Sequence, residues 1–168
     1  RAVAIAKAAG LKVKALMSIG HAGETSESAL SIRDWLIKMD VEDFDCTIIT
    51  TYPGTPYFDL AKPHETLPGV WTYTQPKSGD RLHSYDVDFS ETAEFYKGDP
   101  DGGYEAYVFT DALSSNEIVA LRDTIETDVR KALKLPFNTS RAAILYEHSM
   151  GQGLPASIFR RSSDTLTG

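Results

Sequence analysis

Cysteine is nearly absent: Cys46 is the one thiol in 168 residues. A lone cysteine cannot close an internal disulfide, so the expected compartment is a reducing one, the cytoplasm. Long apolar runs are missing too. No stretch approaches the roughly 20 residues that a membrane helix requires, and no leader-like segment is visible. Positive charge is scarce, with 17 Lys and Arg against 24 Asp and Glu and a net charge of −7. Without a basic run, that balance argues against binding driven by nucleic-acid phosphates. Repeats and low-complexity tracts do not occur. What remains is 42% hydrophobic with mixed charge, the composition of a globular chain with one domain, or one domain and an appendage.

The stretch from Lys12 to Pro56 is the most patterned. Lys12 to Ile19 (KVKALMSI) reads as a strand, broken by Gly20-His21-Ala22-Gly23-Glu24-Thr25. Ser26 to Met39 carries Ala29, Ile32, Leu36 and Met39 at helical spacing, with Leu30 and Trp35 widening that face. Thr25 or Ser26 can cap this helix. Asp45 to Thr50 (DCTIIT) is a second strand, stopped by Thr51-Tyr52-Pro53-Gly54-Thr55-Pro56. Two strands joined by one amphipathic helix predict a parallel βαβ unit. Ligands of parallel α/β folds sit at the carboxyl ends of the strands, where both glycine loops would lie.

Upstream, Arg1 to Gly10 (RAVAIAKAAG) is helical in pattern, with Gly10 just past its end. A chain that opens inside an element is expected to be a piece of a longer protein. Downstream, Tyr57 to Lys62 predicts one helical turn stopped by Pro63, and His64 to Pro68 a loop. An antiparallel meander is then expected from residues 69–110, with strands Val70–Thr74, Leu82–Phe89 and Tyr104–Phe109 separated by glycine-rich turns. Tyr85, Val87 and Phe89 would share one face of it. Trp71, Tyr73, Tyr85, Tyr104 and Tyr107 are read as sheet packing. Ser114 and Glu117 form a capping box. The helix it opens places Ile118, Leu121, Ile125, Val129, Ala132 and Leu133 on one face and Arg122, Asp123, Glu126, Asp128 and Arg130 on the other, ending at Pro136. Glu126 and Arg130 read as a surface i,i+4 pair worth ~0.2–0.5 kcal/mol. A last helix is expected over Arg141–Met150.

Two segments in order, SIGHAGETSES and TIITTYPGTPYF, carry a resemblance. Gly20, Gly23, Glu24 and Thr25 match a "GLPGET" pattern, and Pro53, Gly54, Thr55 and Pro56 match "PGTP". Together they resemble the later strands of radical S-adenosylmethionine enzymes, most of all the cobalamin-binding and methylthiotransferase-like branches. The chain departs at His21 and Ala22, where leucine or phenylalanine and then proline are usual. The resemblance implies an α/β fold. Residues 1–62 would be the last βα units of a partial, TIM-like (β/α) barrel, and residues 63–168 a C-terminal extension with the meander and helices over 115–150. It implies S-adenosylmethionine and a 4Fe-4S cluster as cofactors, with cobalamin for some members, and oxidoreductase or methyltransferase chemistry through a 5′-deoxyadenosyl radical. The family's cluster needs a CxxxCxxC loop. Cys46 alone cannot replace it, so the cluster belongs to a missing N-terminal portion and this chain alone is expected to be inactive. The substrate, small molecule or peptide, is not specified.

The resemblance assigns Ile19 and Gly20 to the adenine side of the cofactor, with Glu24, Thr51 and Tyr52 in the same cleft wall. Glu24 would brace the loop by accepting backbone N–H bonds. The plain alternative is an ordinary strand-to-helix turn. The loop is no Walker phosphate cradle, since no lysine follows the second glycine. His21, beside the cleft, is a candidate for proton exchange with substrate, set against a plain, partly exposed loop histidine. His148, next to Glu147 before a glycine-rich break, is a second candidate, set against a plain helix-end histidine. A rival class takes His21, Glu24 and His148 as the ligands of a zinc metallohydrolase. A third takes the chain as a non-catalytic interaction or regulatory module.

Overall fold

Local capping fixes the helices. Thr25 accepts the N–H of Ser28 at 3.2 Å while the Ser28 hydroxyl accepts the N–H of Thr25 at 2.9 Å, and helix α2 runs from there over Ser26–Met39. Ser114 and Glu117 close the same kind of reciprocal cap on α4, which spans Ser115–Leu133. Helix α1 (Ala2–Ala8) ends where Gly10, at φ +76°, lets Leu11 N–H donate back to Ala6 O at 3.0 Å. The computed structural model describes residues 1–86 and 105–135. The last predicted helix (141–150), Val87, Phe89, Tyr104, Pro136, Glu147 and His148 lie outside them.

The chain is mixed α/β. Strands β1 (Lys14–Ile19) and β2 (Asp43–Ile48) pair in parallel, Lys14 against Asp43 through Ile19 against Ile48. Both boundaries move from the sequence expectation. β1 begins two residues later than Lys12, and β2 ends at Ile48 rather than Thr50. The earlier start of β2 follows from pairing, since Val13 O accepts Glu42 N–H at 3.1 Å. After a short helix α3 (Pro56–Asp59) comes a second sheet of four antiparallel strands. It comprises β3 (Lys62–Pro63), β4 (Val70–Thr74), β5 (Arg81–Tyr85) and β6 (Val108–Thr110) in that order. Pro63 was expected only to stop a helix; it sits in edge strand β3, where its missing N–H costs no ladder bond.

The parallel pair is covered by helices on one face. Ala15, Ile19, Phe44, Cys46 and Ile48 point to that side, into a core shared with Ala29 and Leu36 of α2 and Ile118, Ile125 and Val129 of α4. Trp35 does not join it and stays 40% exposed. The alternate positions are Lys14, Leu16 and Ser18 on β1 and Asp43, Asp45 and Thr47 on β2. Among the described residues they form a helix-free face, on which Lys14 Nζ meets Asp43 at 3.3 Å and Asp45 at 2.9 Å.

Helix α4 corrects one expectation. Arg122 and Arg130, placed by periodicity on a polar face, are buried. Arg130 Nε donates to Glu126 at 2.7 Å and its guanidinium lies 4.8 Å from the Phe44 ring centre. Arg122 Nη2 stands 3.8 Å from the same carboxylate. The guanidinium nitrogens also reach β2 carbonyls, Arg122 to Cys46 O at 3.2 Å and Arg130 to Phe44 O at 3.5 Å. A strand edge supplies acceptors that helical periodicity alone cannot reveal. Among the described residues no helix is long and apolar enough to cross a membrane.

Two predictions follow from these contacts. Glu126→Ala removes the carboxylate that two buried guanidinium groups share, leaving Arg122 with Asp123 at 3.1 Å and Arg130 with Asp43 at 4.0 Å, and lowers stability by about 1–3 kcal/mol in urea unfolding. A loss under about 0.5 kcal/mol, the size of a surface pair, contradicts the buried arrangement. The second concerns acid. The Ser114 hydroxyl, and then its backbone N–H, hold the Glu117 carboxyl below the ordinary glutamate range. This cap therefore contributes stability above that range and loses it as pH falls through the lower, folded value. The urea midpoint should decline over that window, and Glu117→Gln should flatten part of the decline; an unchanged slope in the variant removes the cap from the account.

Candidate functional site at the rim of the parallel strands

In-register parallel pairing brings the chain out of β1 and β2 at one edge. Ile49 N–H donates to Ile19 O at 2.9 Å and carries the ladder one step past both strands. The first loop then closes on itself. The Glu24 carboxylate accepts the N–H groups of Gly20 and of His21, the latter at 3.1 Å, and Glu24 N–H donates to His21 O at 3.1 Å. Glu24 thus spends its carboxylate on backbone donors, bracing the turn.

The glycines have a packing reason. Gly20, at φ +90°, is buried, and a Cβ there would stand 3.1 Å from the Val108 side chain of β6. At Gly23, with φ +79°, a Cβ would come within 2.6 Å of the Asp80 carboxyl carbon. The antiparallel sheet therefore rests directly on this loop, and Thr110 Oγ1 donates to Glu24 O at 3.2 Å. Both positions combine a left-handed backbone with a close neighbour, which glycine alone accommodates without strain.

The second loop begins past the end of β2. Tyr52 O accepts both Thr55 N–H at 3.1 Å and Thr55 Oγ1–H at 2.6 Å, and Gly54 takes φ +85°. Pro53 and Gly54 thus occupy the two central positions of a type II turn. Thr51 is buried and Tyr52 half-buried beside the rim. Ile19 is buried in the core at the strand end.

His21 joins the two loops. Its Nε2 lies 2.9 Å from Ser18 Oγ and its Nδ1 3.3 Å from the Tyr57 hydroxyl. Each hydroxyl can donate or accept, so either imidazole tautomer is satisfied. Tyr57 in turn meets Tyr73 of β4 edge-on at 4.9 Å. Ser18 belongs to the helix-free face, so the half-buried His21 ring folds back over that side of the sheet. Ser18 and Tyr57 were missed in the sequence. The strand alternation places Ser18 on that face, but nothing local brings Tyr57 across from the other loop.

Cys46 lies in the core, and burial first of all pushes its thiol up to about 12. A thiolate ligand is not available in such a setting. Among the described residues no group of three His, Cys, Asp or Glu is placed to hold a metal ion. His148 lies outside those residues.

A second polar cluster, also missed in the sequence, sits on the other side of the antiparallel sheet from Tyr73 and Leu82. Buried His83 bridges Thr72 Oγ1 at 2.9 Å and Asp111 at 3.0 Å and stacks on Phe109 at 4.6 Å. Arg81 first, and His83 next, hold the Asp111 carboxyl below its ordinary range. Of the aromatic residues read as packing, Tyr73 is buried whereas Tyr85 is 42% exposed.

Gly20→Ala is expected to cost about 1–3 kcal/mol through its backbone conformation and the Val108 contact. In a double-mutant cycle with Val108→Ala, the coupling should reach at least about 0.5 kcal/mol; additive losses would leave only the backbone term. Comparison with models of protein families, with curated proteins and with solved structures gives no match.

Proposed function

We propose that this chain supplies the last strand–helix units of a partial (β/α) barrel in a radical S-adenosylmethionine enzyme, forming part of the cofactor cleft and of the substrate pocket. The observation that carries the reading is the one-sidedness of the parallel pair. Among the described residues helices cover one face only, the other face carries Lys14, Asp43, Asp45 and Ser18 beside an exposed Leu16, and both glycine loops leave the same rim. Barrels are built this way, with an outer helix layer, an inward strand face and ligands at the carboxyl rim. Doubly wound sheets carry helices on both faces. In the proposed arrangement α2 follows β1, α4 takes the place of the helix after β2, and residues 56–110 are inserted between them.

The residues present fit the cofactor and the cluster unequally. Buried Cys46 does not suit a cluster ligand, so no step is assigned here to iron or sulfur. Bound in the complete enzyme and given one electron by that enzyme's cluster, S-adenosylmethionine would supply the radical that takes hydrogen from substrate, or would serve methyl transfer. This chain's part is to shape the recess. The strand-end backbone of Ile19 and Gly20 forms the wall on the adenine side, the Ile19 side chain staying in the core, and the second loop at Thr51 and Tyr52 forms the neighbouring wall. Glu24 keeps the first loop in shape. His21, fixed by Ser18 and Tyr57 on the polar face, is positioned to exchange a proton with substrate.

A second reading has its own support. Val108 and Asp80 account for Gly20 and Gly23 by packing alone, as a non-catalytic interaction module would require. One experiment separates the two. The complete coding sequence is expressed anaerobically, its cluster is reconstituted, and reductive cleavage of S-adenosylmethionine is measured. The enzyme reading expects an upstream CxxxCxxC loop, cleavage, and a His21→Leu variant that still cleaves the cofactor but forms product at least about tenfold more slowly. A complete reading frame without that loop favours the interaction module, and an unchanged product rate in His21→Leu removes the proton-exchange role.

A further inference from the structure

We infer that β2 is the terminal strand of its sheet, and that the open edge of β1 together with the bare face of α1 docks one further strand. That strand runs parallel to β1 and comes from a part of the same protein that precedes α1; its identity rests on the barrel reading, whereas the state of the two edges does not.

The β2 edge is closed. Asp43 N–H and Ile49 N–H donate toward β1, to Val13 O at 3.4 Å and Ile19 O at 2.9 Å. Backbone groups alternate in direction along a strand, so those of Phe44 and Cys46 point the other way. Both carbonyls there accept from α4, Phe44 O from Arg130 and Cys46 O from Arg122. The two arginine side chains are 7% and 8% exposed and share Glu126. A strand adding at this edge would have to displace buried charges from their partners.

The β1 edge is the opposite case. Val13 O and Ile19 O face β2, so the N–H and C=O groups of Lys14, Leu16 and Ser18 face away from it. Among the described residues nothing bonds to them. A lysine often guards such an edge, but Lys14 is drawn across to Asp43 and Asp45 on β2. Leu16 beside it is 76% exposed.

Helix α1 identifies the occupant. It buries none of its residues; Ile5 is 60% exposed, and so, just past its end, is Leu11 at 62%. It is tied down through Lys7, which bonds to Asp40 and reaches Glu42 at 3.4 Å. Seven residues are too few for a helix to persist without packing. A helix running into a parallel strand is the second half of a βαβ crossover. The strand before it neighbours β1 on the side that β2 does not hold, and gives α1 a surface to cover. A second copy paired about a two-fold axis would instead run antiparallel to β1.

The test compares the 168-residue chain with the gene product carrying its upstream residues, by amide hydrogen exchange at Lys14, Leu16 and Ser18. These amides should exchange fast in the short chain and at least about 100-fold more slowly in the long one. Equal rates in the two, a short chain that sediments as a dimer with these amides already protected, or a reading frame with no upstream strand would each overturn the inference. Cofactor cleavage by the same long protein separates this from the functional reading. Protection without cleavage leaves the edge assignment standing and removes the enzyme; cleavage without protection does the reverse.

Discussion

Two guanidinium groups sharing one carboxylate decide how the parallel strands are used. Arg122 and Arg130 both turn toward Glu126, and both reach main-chain carbonyls of β2. Buried charges are tolerated only when paired and hydrogen-bonded. Glu126 and Asp123 supply carboxylates from α4 itself, while β2 supplies the carbonyls and Asp43, 4.0 Å from Arg130. The helix therefore cannot slide or roll against β2 without exposing a buried cation to an apolar core. This lock holds the helix layer on one face of the sheet. Among the described residues the opposite face carries Lys14, Asp43, Asp45, an exposed Leu16 and the ring of His21.

The rim shows a division of labour between backbone and side chain. Gly20 and Gly23 turn toward Val108 and Asp80 and let the antiparallel sheet come close. Glu24 consumes its charge on the loop's own N–H groups. What is left to meet a ligand is the strand-end backbone, the second loop and His21 with its two hydroxyl partners. In the proposed reading, the hydrogen-bonding groups beside the apolar strand ends would meet a nucleoside rather than a phosphate.

Much of this was legible in the sequence wherever the controlling interaction is local. The helix over Ser26–Met39 and the box at Ser114 and Glu117 were readable because caps act within one turn. The parallel βαβ unit followed from two apolar strands flanking an amphipathic helix. Interactions that bridge elements were not legible. Arg122 and Arg130 look like solvent residues on a helical wheel, since the β2 carbonyls that receive them are far away in sequence. Tyr57 looked like part of an isolated turn, and its contact with His21 depends on the register of β1 against β2. His83 sits in a strand whose neighbours bury both faces, so period-two alternation carried no signal there.

The central claim is that this rim is shaped for a nucleoside. Its most direct test is a solution NMR titration of the chain with S-adenosylhomocysteine, following backbone amides into the millimolar range expected of a partial site, about −4 kcal/mol. The account predicts saturable shifts confined to Ile19, Gly20, His21, Thr51 and Tyr52. Shifts gathered instead around His83 and Asp111, or none at any residue of the two loops, would contradict it.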